Sequence, residues 1–205
     1  DLHKAIRRQR QMCIRDSHEG AILLHVPQNT KVTISAESDA EIAVSRTENK
    51  RDFAARLLRP EDCLCANEKR GAGQMNECST RLVRTFFDRS NCPETNFFIG
   101  EVVHFPGKWS SYPPHQHVEP ELYYYKFLPE NGYGLAEYGD DAFKVKNNDL
   151  TGMPENVTHS QAAAPGYAEY YLWCIRLQDD KNIVTTVVPE YEWVTKADAK
   201  YFPDI

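Results

Sequence analysis

Twelve short runs of alternating or wholly apolar residues are spaced along this chain, each ended by turn chemistry within a few residues, and no long amphipathic helix interrupts them. Residues 21–26, 31–35, 41–45, 81–87, 96–104, 122–127, 134–138, 143–145, 149–153, 168–177, 184–188 and 191–194 read as strands. Between them stand breaks such as Pro27-Gln28-Asn29-Thr30, Pro106-Gly107-Lys108, Pro129-Glu130-Asn131-Gly132 and Gly139-Asp140-Asp141. Period-2 patterning with frequent turns admits an all-β barrel or sandwich and little else. The stretch 47–76, with Arg59-Pro60-Glu61-Asp62 and Lys69-Arg70-Gly71-Ala72-Gly73, is charged and irregular and reads as loop and linker.

Within the pattern, Ser110–Tyr125 (SSYPPHQHVEPELYYY) carries the densest chemistry. His115 and His117 are two apart, so on a strand they face the same way. Glu121 follows and leads into an aromatic strand, and His159 arrives after a turn at Pro154-Glu155-Asn156. A lone His-x-His pair is more often exposed or hydrogen-bonded than ligating. Three imidazoles and a carboxylate on strand-like segments make a sensible shell for a divalent metal with open positions. The expected ligands are therefore His115, His117, Glu121 and His159. Glu119 alternates with them, although a surface position is the commoner fate for such a carboxylate.

Composition excludes several other classes. The net charge of −6 provides no basic surface for nucleic acid. No apolar run approaches the roughly 18–20 residues that span a bilayer, so no membrane partner is expected. The six cysteines contain no Cys-x2-Cys pair, and Cys63-x-Cys65 with Cys78 and Cys92 fits no common zinc spacing. Reduced thiols in a cytoplasm are the expectation. Residues 1–17 are basic and lack the apolar core of a secretory signal; they do not belong with the rest of the pattern, and within them Met12–Ser17 reads as foreign sequence joined upstream.

His-x-His-x3-Glu followed by Pro-x-Asn-x-x-His resembles the paired motifs of metal-binding cupins, jelly-roll barrels of two packed sheets. Asn156 stands where that pattern has Gly, a mild change because Asn tolerates a left-handed turn. Trp109-Ser110-Ser111-Tyr112-Pro113-Pro114-His115, Gly132-Tyr133-Gly134-Leu135, and Ala164-Pro165-Gly166-Tyr167 with Tyr170-Tyr171-Leu172 resemble the 5-deoxy-glucuronate isomerase family, over roughly residues 20–194. The resemblance implies an all-β cupin fold, a bicupin with its first barrel incomplete. Residues 18–76 would be a remnant of that barrel plus linker, and residues 77–205 the metal-binding second barrel. The opening half of the first barrel would lie before Gly20, so an N-terminally truncated chain is expected.

The resemblance also implies a cytoplasmic aldose–ketose isomerase of myo-inositol catabolism that converts 5-deoxy-D-glucuronate to 5-dehydro-2-deoxy-D-gluconate. It would use a divalent metal, zinc or manganese by preference, and could assemble as a homo-oligomer. Arg81 aligns with an arginine of the family and would suit a uronate carboxylate, which a guanidinium can hold with two bonds. Tyr171 is a candidate hydroxyl partner for the sugar. The general base is not identified. Three alternatives stay open: the sister 5-keto-4-deoxyuronate isomerase of pectin degradation, an iron-dependent cupin dioxygenase, and a non-catalytic sugar-binding cupin.

Overall fold

A computed structural model describes residues 21–179 and 181–203. Thirteen strands run in chain order among the described residues: β1 (Leu23–His25), β2 (Arg56–Leu58), β3 (Cys65–Arg70), β4 (Arg81–Phe87), β5 (Phe97–His104), β6 (Trp109–Gln116), β7 (Glu121–Leu128), β8 (Tyr133–Tyr138), β9 (Asp141–Lys146), β10 (Leu150–Met153), β11 (His159–Ala163), β12 (Ala168–Arg176) and β13 (Thr186–Val187). They form a six-stranded sheet in the order β10-β7-β12-β5-β4-β3, a five-stranded sheet in the order β13-β6-β11-β8-β9, and a separate β1-β2 pair.

The pairings define a jelly roll. β5 pairs with β12, β6 with β11, β7 with β10 and β8 with β9, all antiparallel. Two four-strand arms, β5–β8 and β9–β12, thus lie along each other and roll up together, so that within each arm successive strands fall in opposite sheets. The protein is an all-β cupin barrel.

Strand parity explains which residues fill it. On β7, Glu121, Tyr123, Tyr125 and Phe127 are buried while the residues between them are more exposed. On β12 the matching inward set is Glu169, Tyr171, Trp173 and Ile175. With Val83, Val102, Ala136 and Val145 they form one core between the sheets. Tyr123 and Tyr171 meet edge to face with ring centroids 4.9 Å apart, a favoured aromatic geometry. Gly100 lies against the Trp173 ring, where a Cβ would come within 2.3 Å. A second core of Leu58, Phe86, Phe87, Cys92, Ile99 and Cys174 covers the outer face of the large sheet. This is why β12 is buried on both faces.

Three expectations about local structure change. Residues 31–35 and 41–45 are not strands among the described residues: Val32, Ile34, Ile42 and Val44 are exposed. A period-2 pattern becomes a strand only when a neighbour completes its hydrogen bonds, and none does here. Residues 191–194 lie in a 3₁₀ turn, Pro189–Thr195, where proline occupies the first turn and only Val194 is buried. The stretch expected to be linker contains β2 and β3. Because β3 pairs with β4, the ladder of the large sheet begins at Cys65. The foreign-sequence reading of Met12–Ser17, and the separate segment 1–17 that holds it, lie outside the described residues.

Candidate metal centre

The four expected ligands converge at one end of the barrel. His159 opens β11 and pairs directly with His115 near the end of β6. Their alignment depends on a bulge. Two steps along β11, from 159 to 161, correspond to five along β6, from 115 to 110. The extra residues bend at Ser111, whose φ is +52°. Such bulges re-aim side chains. His117 sits just past the end of β6, and Val118-Glu119-Pro120 separates it from Glu121, the first residue of β7. Asn156 adopts φ +58° in the turn before His159, the left-handed conformation that its substitution for glycine requires. The Asn156 N–H donates to the His117 carbonyl at 2.8 Å, which ties the two ligand-bearing segments together.

One nitrogen from each of His115, His117 and His159 lies within 4.8 Å of the others. Glu121 Oε2 is 3.1 Å from His117 Nε2 and 3.7 Å from His159 Nε2. His117, Glu121 and His159 are buried and His115 is half-buried.

Hydrogen bonds set the tautomers. His115 Nδ1 meets the Ser111 carbonyl at 3.1 Å, His117 Nδ1 the Glu119 carbonyl at 2.8 Å, and His159 Nδ1 the Val157 carbonyl at 3.1 Å. A carbonyl can only accept, so each Nδ1 carries the hydrogen and each Nε2 lone pair is left for the centre. Backbone acceptors of this kind orient metal-bound histidines.

The electrostatics fit a cation. Burial pushes His159 down to about 3 and lowers His115, so both stay neutral. Burial would also lower His117, but the hydrogen bond and charge of Glu121 outweigh it and the imidazole is raised. Burial raises Glu121, against the pull of His117. His117 and Glu121 therefore face each other through atoms that repel unless a proton or cation lies between them. The buried His159 Nε2 has no hydrogen-bond partner, a costly state that coordination would relieve. The donor set suits a divalent metal ion.

The structure places the remaining candidates deeper in the barrel. Tyr171 is buried on β12 with its hydroxyl 2.5 Å from Ser110 Oγ. Arg81, on β4, is buried and donates through Nη1 to the Ser79 carbonyl and Oγ at 2.7 and 2.9 Å. Its charge bears on both Tyr171 and His115. Glu119 is not a surface group: it is 1% exposed, and its Oε2 lacks a hydrogen-bond partner. Pro120 and the β7 ladder draw it inward, an effect that alternation alone does not reveal. Sequence reasoning also missed His104 and Glu169. The signal was parity, since Glu169 shares a face with Tyr171, Trp173 and Ile175 and had to be buried with them.

The sequence profile of the KduI/IolB family matches residues 10–194. The chain belongs to the KduI/IolB family. The match begins inside the segment 1–17 set apart above. The 5-deoxy-glucuronate isomerase of Geobacillus thermodenitrificans is 30% identical, over 85% of this chain and 66% of its own length. Its counterpart in Geobacillus kaustophilus is 34% identical, over 85% of this chain and 65% of its own. The chain thus spans just under two thirds of the length of these curated relatives. A crystal structure of an IolB-like protein from Salmonella typhimurium LT2 superposes with a TM-score of 0.62 at 26% identity, covering 70% of this chain and 57% of that one. Among the described residues no helix is long and apolar enough to cross a membrane.

Proposed function

We propose that this protein is a metal-dependent aldose–ketose isomerase that converts 5-deoxy-D-glucuronate to 5-dehydro-2-deoxy-D-gluconate in myo-inositol catabolism. The observation that carries the reading is the convergence of three Nδ1-anchored imidazoles and Glu121 in a family whose curated relatives bear the isomerase name. The five cysteines among the described residues are free thiols, which supports a cytoplasmic setting. The described residues up to Leu58 we assign to the remnant of a preceding barrel, because β1 and β2 form a sheet of their own.

His115, His117, Glu121 and His159 would hold the metal, zinc or manganese. When bound, the ion supplies Lewis-acid polarisation of a sugar carbonyl and stabilises negative charge on oxygen. The chain's own residues do the rest. Arg81 uses one guanidinium nitrogen on Ser79, which leaves its other donors for the sugar carboxylate. A carboxylate held there fixes the sugar relative to the histidines, an orientation effect of the kind that dominates positional catalysis. Tyr171 would contact a sugar oxygen as a neutral hydroxyl, since burial raises it to about 12.

The test is turnover of 5-deoxy-glucuronate by the full-length protein with zinc or manganese. Product that disappears in His117→Ala supports the assignment. Turnover of 5-keto-4-deoxyuronate alone would move the protein to the sister activity. Oxygen uptake with iron and no sugar product would make it an oxygenase, and metal binding without any turnover would leave a sugar-binding cupin. Arg81→Lys is expected to raise KM for the uronate at least about tenfold while changing kcat less, because lysine cannot reproduce the two-bond fork.

A further inference from the structure

A second group of buried polar side chains lies in the barrel at the other end of the same strands. Arg81 on β4, His104 on β5 and Glu169 on β12 stand in one cross-strand row. His104 and Glu169 are both 0% exposed. His104 Nε2 is 2.6 Å from Ser110 Oγ, and Ser110 Oγ is 2.5 Å from the Tyr171 hydroxyl. On its other side, His104 Nδ1 is 3.7 Å from Glu169 Oε1. His104 Nδ1 and both Glu169 carboxyl oxygens have no hydrogen-bond partner. Three orphaned polar atoms facing one another in a sealed interior are a liability unless they serve a purpose. The backbone makes room for them: a Cβ on Gly134 would lie 2.1 Å from Glu169 Oε2.

We propose that Glu169 and His104 store the proton that Tyr171, through Ser110, exchanges with a sugar oxygen during isomerisation. This rests on the isomerase reading above and supplies the acid–base group that the sequence left unidentified. Glu169 and His104 are positioning residues in this scheme, because within the relay only Tyr171 meets the substrate.

The column ends beside the metal centre. Tyr171 packs edge-on against Tyr123, whose ring lies 6.2 Å from that of His159. Ser110, which bonds the Tyr171 hydroxyl, precedes Ser111, whose carbonyl meets His115 Nδ1. Among the described residues, the charged and titratable groups that face Glu169 are His104 from β5, Arg81 one strand further, Tyr125 from β7 and Tyr171 on its own strand. None is an acid that would eject its charge, and Arg81 is separated from it by His104. Burial alone raises Glu169 to about 8. Burial, aided by the charge of Arg81, drives His104 down to about 3. Near neutrality the pair is therefore a protonated carboxyl beside a neutral imidazole.

The step balances without an outside reagent. As negative charge develops on a sugar oxygen, the Tyr171 O–H bond breaks towards it. Tyr171 takes the Ser110 proton, Ser110 takes the proton on His104 Nε2, and His104 Nδ1 takes the proton of Glu169. The alkoxide becomes a hydroxyl, Glu169 becomes a carboxylate and His104 ends as its other tautomer. The reverse sequence resets the column when the neighbouring hydroxyl gives up its proton. No electrons change hands in these transfers.

The experiment compares metal-loaded full-length wild type with Glu169→Gln and His104→Asn. For Glu169→Gln we expect kcat to fall at least about tenfold with KM within about twofold. We also expect the falling limb of the wild-type kcat profile near pH 8 to vanish. Unchanged kcat, or a limb that persists, overturns the relay while leaving the isomerase reading intact. A wild type that turns over no sugar under any metal overturns that reading, and the relay with it. If the variants do not fold, infrared spectroscopy of the wild type decides. A buried protonated-carboxyl stretch that titrates away near pH 8 supports the store, and its absence at pH 6 overturns it.

Discussion

At the two ends of β7 and β12 the barrel interior holds two clusters of imidazole and carboxylate, and their hydrogen bonds differ in kind. At the Glu121 end, backbone carbonyls take every Nδ1 hydrogen, so three Nε2 lone pairs and a carboxylate converge. At the Glu169 end, the Nδ1 of His104 is turned towards a carboxyl group and no carbonyl claims it. The first arrangement attracts a cation; the second accommodates a proton. The same two residue types serve both ends: burial lowers His104, His115 and His159, and the partner of Nδ1 then decides what the other nitrogen can do.

The sharpest way to break this comparison is at the cation end. His159→Ala should weaken zinc or manganese binding by more than the roughly 10–100-fold typical of outer-shell changes. Metal titration monitored by calorimetry would measure it. Retained affinity would mean that the cluster is a packed histidine group and not a metal shell.

The proton end should appear in stability. Glu169 is raised from 4.5 to about 8 in the folded state. Its contribution is thus complete below its unfolded value and is lost as pH climbs through 8. His104 is lowered from 6.5 to about 3, so it acts in the opposite sense, and only below pH 6.5. Between pH 6.5 and 8 the Glu169 effect stands unopposed by His104, at up to about 1.4 kcal/mol per pH unit. Glu169→Gln should flatten this slope in denaturant titrations. A slope equal to that of the wild type would show that Glu169 ionises normally.

A smaller effect tests the space between the ends. Gly134→Ala brings a methyl group against Glu169 and within 2.9 Å of the Ala162 carbonyl. A loss of about 1–3 kcal/mol is expected, as for other overpacked interiors. Thermal unfolding would read it. No loss would mean that the Glu169 carboxyl moves freely, contrary to a fixed proton store.

The spatial cluster of the candidate ligands was legible because metal chemistry restricts residue type, and strand geometry restricts spacing. His115, His117, Glu121 and His159 are together as their pattern implied. The failures have one cause. Residues 31–35 and 41–45 have impeccable alternation and no ladder, whereas the charged stretch 65–70 became β3 because β4 offered it an edge. Pairing is a property of two segments, and local pattern describes only one.

Parity and residue type, both local, determined by themselves which faces point inward and which side chains can ligate. Tertiary structure alone decided that a three-residue bulge in β6 would bring His115 opposite His159. It also decided that the register of β5 on β12 would set His104 beside Glu169. Register depends on distant strands closing around a common core, and a one-residue slip would have sent each of these side chains to the other face.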